Sequence, residues 1–376
     1  GLIAPTVVGS RERQFDAVTQ LTIVVDKPIR PRIEMAVQRG IRYARLAQKP
    51  TQEKRLALMY YNYPVGEANI GASYLNIAES LENILTAMRE AGYDLGGKDL
   101  SAAAILADIT TKARNIGSYA PGDLEQLLSH DGFAEVSIDT YNSWLEDLDP
   151  SLREKVLQDW GDPGLEDLMT YQYPDRKVFI IPRLEYGNIL LMPQPVRGWS
   201  EDLEKLYHAD NLAPHHQYVA AYTWLRKVAD IDAVVHMGTH GTLEWLDGKD
   251  TGLSREDAPD ALLAEIPNIN IYNVDVVGEG LVARRRGMAT LVDHMVPPFV
   301  ASGLYSDLAL LSETINDYHN NLHKNEELSI IYARQIVEQL HTTGIAKSLS
   351  IDLSPDDTGL LDHDIMHEIQ DHMVAL

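Results

Sequence analysis

Apolar runs of strand length alternate with amphipathic segments of helix length along much of the chain. The run LTIVV at 21–25 is followed by a helical pattern over 31–47 and then by a second apolar run, RLALMYY. Such alternation is typical of α/β layers, in which helices cover a sheet of parallel strands. We therefore predict an α/β fold of several domains with largely parallel sheets flanked by helices.

The same pattern divides the chain into four segments. Residues 1–100 predict an α/β domain with a glycine-bearing loop at 63–76, and residues 101–175 predict a mostly helical insertion or cap. Residues 176–300 predict a second α/β domain, and residues 301–376 predict a helical segment. In the second α/β domain, KVFIIP and NILLMPQP predict two strands joined by RLEYG as a hairpin or short crossover. Near its end, GLVARRRGMATLVDHM predicts one helix.

Composition narrows the chemistry that the chain can perform. Its 376 residues are 45% hydrophobic, which is enough for two or three cores of domain size. Lys and Arg total 32 against 56 Asp and Glu, and the net charge of -24 disfavours nucleic acid as a partner. Because there is no cysteine, a metal site would use His, Asp, Glu or backbone oxygen. No apolar run reaches transmembrane length, so we expect a cytoplasmic protein unless an anchor lies in absent segments.

The segment DAVVHMGTHGTLEWLDGKDTGLS at 232–254 carries the densest group of chemically capable residues. A predicted strand delivers His236 to its carboxyl end, two glycines bend the backbone around His240, and Glu244 follows four residues later. Two imidazoles and a carboxylate in one crevice could bind a divalent ion or remove protons near neutral pH. In the alternative interpretation, His236 is a satisfied strand-end residue and Glu244 caps a helix.

This segment resembles the signature of the large subunits of cobaltochelatase and magnesium chelatase, which bind the tetrapyrrole in ATP-dependent metal chelatases. Four other stretches resemble the same family in the same order: YNYPVGEANIGASYLN, YGNILLMPQPVRGW, LYHADNLAPHHQYVAAYTWLR and VARRRGMATLVDHMVPP. The resemblance covers nearly the whole chain and implies a central piece of such a subunit. Trp245 stands where magnesium-type subunits tend to have Phe, which favours the cobalt-type branch.

The resemblance implies a ligase that forms nitrogen–metal bonds. A divalent ion, cobalt first with magnesium and iron as alternatives, would enter a corrin or porphyrin ring, while AAA+ ATPase partner subunits would use the ATP. His236, His240 and Glu244 are expected to accept protons and to bind the metal transiently. The residues expected to bind the tetrapyrrole are Asn69, Glu185, Asn188, Gln194, Glu201, His215, His216, Trp245, Lys249, Arg284 and Arg285.

Several of these candidates have an equally simple structural explanation. His215 and His216 stand at a predicted helix start, where they could present neutral imidazole to a metal or merely cap the helix. The arginines at 284–286 could bind propionate or acetamide groups, or they could form a solvated cationic face. Glu185 and Glu201 match acid-rich family positions, although each alone is typical of a surface carboxylate.

The chain departs from the family pattern at three positions. Val65 and Glu67 replace the usual Pro and Lys, and Asp247 replaces a Pro. Losing a cation at Glu67 changes which peripheral groups are tolerated, so the identity of the macrocycle stays open. The alternatives to a cobalt-type chelatase are a magnesium-type or haem-dechelating relative, a non-catalytic tetrapyrrole carrier, and a nicotinamide-dependent enzyme.

Two glycine motifs bear on nucleotide use. GYDLGGKD at 92–99 has P-loop spacing, but it follows a helix and ends in Asp99 rather than Ser or Thr, so it predicts no phosphate site. GEGLVA at 278–283 follows a strand and opens a helix, as a dinucleotide fingerprint does. The acid that such a site requires is missing from the next strand, because Asp293 falls within the continuing helical pattern.

Overall fold

The computed structural model describes residues 6–62, 70–71, 75–118, 120–197, 212–238, 241–273 and 277–294, and parts of 310–369. Contacts between Cα atoms divide the chain into two compact units, Gly1–Val296 and Pro297–Leu376. The second unit contains helix α10 (Glu326–Thr343) and has a core of its own, in which Ile336 and Leu340 are buried.

The elements of the first unit follow the alternation seen in the sequence. Its strands are β1 (Gly9–Asp16), β2 (Leu21–Pro28), β3 (Leu56–Tyr60), β4 (Phe133–Ser137), β5 (Thr170–Gln172), β6 (Lys177–Pro182), β7 (Leu184–Tyr186), β8 (Ile189–Pro193), β9 (Ala233–Met237), β10 (Asn268–Asn273) and β11 (Thr290–His294). Its helices are α1 (Arg30–Gln48), α2 (Ile77–Glu90), α3 (Ala102–Lys112), α4 (Pro121–Leu128), α5 (Ile138–Glu146), α6 (Pro150–Trp160), α7 (His216–Lys227), α8 (Ala258–Leu263) and α9 (Val277–Arg286).

The central sheet has the strand order β11-β10-β9-β3-β8-β7. All neighbours pair in parallel except β7, which pairs antiparallel with β8 at one edge, so the predicted α/β fold with a largely parallel sheet is confirmed. Numbered along the chain, the parallel strands lie in the order 2-1-3-4-5, and the direction of progress reverses between β3 and β9. Open α/β sheets bind ligands outside the carboxyl ends of the strands at such a switch point.

Helices cover both faces of this sheet. On one face, Ala57, Met59 and Val234 pack against α5, α6, α7 and α8. On the other face, Leu56 and Leu58 pack against α2 and α3. Because side chains alternate between the two faces of a strand, a run such as LALMY must be apolar throughout when both faces are covered. This double burial explains why the central strands read as continuous apolar runs.

The sheet joins strands from the two segments that the sequence predicts as separate α/β domains. Strand β3 comes from residues 1–100, whereas β8 to β11 come from residues 176–300. The segment 101–175 contains α3 to α6, and its strands β4 and β5 pair antiparallel with β6 in a second sheet of order β4-β6-β5. The run LTIVV does form a strand, but among the residues that the structure describes β2 pairs with β1 alone, in an exposed hairpin.

Two predicted connections are wrong. KVFIIP and NILLMPQP become β6 and β8, which lie in different sheets, because RLEYG itself forms the strand β7 that pairs with β8. GLVARRRGMATLVDHM is not one helix, since α9 ends at Arg286 and β11 begins at Thr290. Met288 has a φ of 51°, which breaks the helix, and the β-branched residues after it favour a strand. Asp293 therefore lies on the strand that follows GEGLVA, where a dinucleotide fingerprint would have its acid.

The buried face of β6 offers a test of the core. Phe179 is fully buried, and its ring lies edge-on to Tyr141 with 5.0 Å between centroids. Replacing Phe179 by Ala should lower the free energy of unfolding by about 3–5 kcal/mol, because the cavity cannot close completely. Leu165→Ala is the control, since Leu165 is 74% exposed and its loss should change that free energy by no more than about 0.5 kcal/mol. Equal urea midpoints for the two variants would contradict this packing.

Candidate functional site

The predicted catalytic carboxylate lies in a short 3-10 turn, Leu243–Trp245, that follows the carboxyl end of β9. Glu244 is 1% exposed, and its Oε1 accepts a hydrogen bond of 2.7 Å from the backbone N–H of Gly241. Nδ2 of Asn270 on β10 lies 3.5 Å from the same oxygen. A Cβ at residue 241 would stand 2.6 Å from Oε2 of Glu244, so a larger residue there would have to displace the carboxylate.

Two arginines donate hydrogen bonds to the backbone carbonyls of the two residues that follow Glu244. Arg197 donates to the carbonyl of Trp245 at 2.9 Å, and Arg286 at the end of α9 donates to the carbonyl of Leu246. Burial lowers the pKa of Arg286, while nearby carboxylates, Glu244 among them, act in the opposite direction. The turn is therefore fixed by donors from two sides, and its buried acid has a guanidinium nearby.

His236 is buried on β9 with both ring nitrogens hydrogen-bonded. Its Nδ1 lies 2.8 Å from Oδ1 of Asn268, whose Nδ2 donates to the carbonyl of Gly287 at 3.0 Å. That second bond fixes the amide orientation, so His236 must donate through Nδ1 and accept at Nε2 from the hydroxyl of Tyr222 at 2.9 Å. Burial lowers the pKa of His236, against the opposing effect of Glu244. In this structure neither ring nitrogen is open to a metal ion.

His215 is the residue before α7, and it is buried. Its Nε2 donates to the carbonyl of Val196 at 2.7 Å, and its Nδ1 lies 3.6 Å from Oε2 of Glu166. Burial lowers the pKa of His215, while the charge of Glu166 raises it. The side chain thus ties the start of α7 to the segment that follows β8.

His216 is the first residue of α7 and also bonds through both nitrogens. Its Nε2 donates to the carbonyl of Gly161 at 3.0 Å, and its Nδ1 accepts from the hydroxyl of Tyr141 at 2.9 Å. Burial lowers the pKa of His216, and the hydrogen bond to Gly161 opposes that effect. The lowered pKa favours the neutral imidazole, and both ring nitrogens of His216 are engaged inside the core.

The other predicted residues are placed very differently. Gln194 is buried beside the site, and its Oε1 accepts from the backbone N–H of Thr242 at 2.8 Å. Lys249 is paired with Asp257, with 2.7 Å between Nζ and Oδ2. Trp245 is 39% exposed at the turn, which leaves its indole partly open to a ligand.

The remaining predicted residues either lie away from the turn that carries Glu244 or fall outside the described part of the chain. Glu185 on β7 pairs with Arg183, and Asn188 precedes β8, so the structure places both away from the carboxyl edge where Glu244 lies. Arg284 donates to the carbonyl of Ala289 at 2.7 Å, and Arg285 is exposed on α9. The residues that fall outside the described part of the chain are Asn69, Glu201 and His240.

Sequence reasoning missed the polar residues that support the site from the sheet. Asn268 and Asn270 alternate along NINIYN, so both face the side of the sheet that carries His236, and Asn270 is its direct register partner. Buried amides on one face of an otherwise apolar strand require partners, and this pattern was the available signal. Over the described residues, no three His, Cys, Asp or Glu side chains form a group that could hold a metal ion.

No helix in the described part of the chain is long and apolar enough to cross a membrane.

Comparison with known proteins defines the class to which this fold and site belong. The family model described as CobN/Magnesium Chelatase matches residues 1–376. The aerobic cobaltochelatase subunit CobN of Pseudomonas aeruginosa is 32% identical over 86% of this chain and 25% of its own length. The chloroplastic magnesium-chelatase subunit ChlH of Oryza sativa is 31% identical over 77% of this chain and 20% of its own length.

A solved structure agrees with these sequence relationships. The catalytic subunit of cobaltochelatase from Mycobacterium tuberculosis matches with a TM-score of 0.65 and 28% identity, covering 98% of this chain and 29% of that one. The chain belongs to the CobN/magnesium chelatase family. It spans about a quarter of the length of the curated relatives that it matches, and the two branches are almost equally similar to it.

The internal bonds of His216 predict how the fold responds to acid. Since burial lowers the pKa of His216 below its ordinary 6.5, the unfolded chain takes up a proton at a pH where the folded chain does not. The shifts of His215 and His236 have the same sign, so the free energy of unfolding should fall as the pH drops below about 6.5. Imidazole ¹⁵N NMR at about pH 6 should show His216 as the neutral tautomer that carries its hydrogen on Nε2. The same nucleus in urea is the control, and a fully charged His216 in the folded protein would contradict the network.

Proposed function

We propose that this chain is the tetrapyrrole-binding catalytic part of a chelatase subunit that inserts a divalent metal ion into a free-base macrocycle. The observation that supports this most strongly is the buried carboxylate of Glu244, held by Gly241 at the switch point of a parallel sheet. Metal insertion requires a proton acceptor held beside the ring. A carboxylate that accepts a hydrogen bond from a backbone N–H is restricted to one position. Family membership supports the same reaction class.

The proposed reaction exchanges two protons for one metal ion. As the ion M²⁺ approaches the ring, each of two pyrrole N–H groups loses its proton, and the nitrogen electron pair then forms a bond to the metal. Glu244 accepts one proton on its carboxylate, and His240, the other predicted base of the segment, accepts the second. His236 would orient this set from the sheet, because both of its nitrogens are already bonded to Tyr222 and Asn268.

Binding of the flat ring would use the surface of the turn. Trp245 is 39% exposed, and Arg197 donates to its backbone carbonyl, so we assign the stacking contact with the ring to its indole. The same residue is the reason for preferring the cobalt-type branch, with a corrin or porphyrin as substrate and magnesium as the alternative metal. ATP would be used by separate AAA+ ATPase subunits, since GYDLGGKD follows helix α2 rather than a strand.

Substitution of Glu244 by Gln tests the proton-acceptor role. Gln keeps the shape of the side chain and can still accept from Gly241 through its amide oxygen, but it cannot take up a proton at neutral pH. Metal insertion should fall by at least about 100-fold in kcat, while the Kd for the free-base ring should change by less than about threefold. The ring is titrated by Soret absorbance, and insertion is followed by the spectrum of the metallated product.

The control for this variant is Glu135→Gln, which removes a carboxylate on β4 in the second sheet. It should leave both kcat and Kd close to those of the unchanged protein. Full insertion activity in Glu244→Gln would refute the role of Glu244. Ring binding without insertion in the unchanged protein, assayed with its ATPase subunits, would favour the carrier alternative instead. Titration of hydrogenobyrinic acid diamide, protoporphyrin and haem in parallel separates the corrin, porphyrin and haem-dechelating alternatives.

A further inference from the structure

Asn115 joins two strand ends beside the site, although it comes from the segment predicted as an insertion. It lies just after α3 and is 2% exposed. Its backbone N–H donates to Oδ1 of Asn62 at 2.7 Å. Its side-chain Nδ2 donates to the main-chain carbonyl of Gln194 at 2.8 Å and to that of Asn62 at 3.3 Å. One amide therefore links the residues that follow β3 and β8.

The contact continues from Gln194 to the turn that carries Glu244. The backbone N–H of Gln194 donates to the carbonyl of Tyr60 at 2.8 Å, which fixes the residue against the end of β3. Its side-chain Oε1 accepts from the backbone N–H of Thr242 at 2.8 Å. Thr242 immediately precedes the 3-10 turn and lies two residues from Glu244. An unbroken series of buried hydrogen bonds thus runs from Asn115 through Gln194 to the catalytic turn.

We propose that Asn115 is a positioning residue for metal insertion, acting through Gln194 and Thr242 on the Glu244 turn. This inference rests on the proposed function of the site. Both hydrogens of the Asn115 amide are used within the protein, so the residue has no donor left for a ligand and acts through its neighbours. It also gives Gln194, predicted as a ring-binding residue, a different role, because the Oε1 of Gln194 is occupied by Thr242.

Because these hydrogen bonds are buried, breaking one of them leaves a polar group that water does not reach. Asn62, Asn115 and Gln194 are each at most 2% exposed, so water cannot replace a lost partner without opening the core. Asn115→Ala would leave two main-chain carbonyls with one donor fewer and would alter no charge. The turn could then shift by a fraction of an ångström while the ring-binding surface remains. Misplacing a reacting group by about 1 Å can reduce a rate about 100-fold.

The test is a kinetic comparison in the full-length protein with its ATPase subunits. Asn115→Ala should lower the kcat of metal insertion by about 10-fold to 100-fold, while the Kd for free-base protoporphyrin changes by less than about threefold. Gln172→Ala is the control, because Nε2 of Gln172 also donates to a main-chain carbonyl, that of Arg176, at 3.2 Å. Gln172 lies on β5 in the second sheet, so its loss should leave kcat and Kd unchanged.

A second variant, Gln194→Met, removes the acceptor for Thr242 while keeping the side-chain volume. If both residues act through one series of contacts, the double variant should have a kcat no more than about threefold below that of the slower single variant. Fold reductions that multiply would overturn the proposal, and so would an unchanged kcat in Asn115→Ala. If Asn115→Ala does not fold, the drop in kcat at constant Kd must appear in Gln194→Met, and its absence overturns the proposal. A wild-type complex that binds no ring would instead refute the proposed function.

Discussion

The site depends on the hydrogen bond that holds the buried carboxylate of Glu244 against the backbone of Gly241. Glu244 is almost completely removed from solvent, and leaving a buried polar group without a hydrogen-bond partner costs free energy. The N–H of Gly241 offsets part of that cost with a hydrogen bond of 2.7 Å, and a Cβ at the same residue would stand 2.6 Å from Oε2, displacing the carboxylate from its present position. One glycine therefore supplies both the space and the donor, and the surrounding structure keeps that glycine and Glu244 at a fixed distance.

Three independent parts of the fold converge on this short turn. Asn270 on strand β10 donates to the carboxylate of Glu244. Arg286, the last residue of α9, donates to the carbonyl of Leu246. The ends of β3 and β8 contribute the bond from Gln194 to Thr242. None of these groups is adjacent in sequence to Glu244, so the turn is held by tertiary structure rather than by its own local preferences. A 3-10 turn of three residues would otherwise have little reason to keep one conformation.

The sequence predicted elements better than it predicted their pairing. Strands β3 and β8 are continuous apolar runs because both sheet faces are covered, and local pattern was enough to find them. The separation of β6 from β8 and the strand nature of β11 depend on partners far along the chain, which local pattern does not contain. Asn188 was named with the ring-binding residues through the family resemblance, whereas its place before β8 puts it at the amino end of that strand. Asn115 had no local signal at all.

The proposed proton chemistry is compatible with the near-equal similarity to cobalt-type and magnesium-type relatives. Any divalent ion that enters a free-base ring must displace the same two pyrrole protons. A fixed carboxylate that accepts such a proton can therefore act with each of these metals. What distinguishes substrates must lie where the ring edge and the ion's own ligands are recognised. In the described part of this chain, Trp245 is one such position, since it is 39% exposed at the turn. The choice of metal and macrocycle is therefore separable from the proton chemistry, and changing the residues at the rim should alter the substrate without dismantling the support of Glu244.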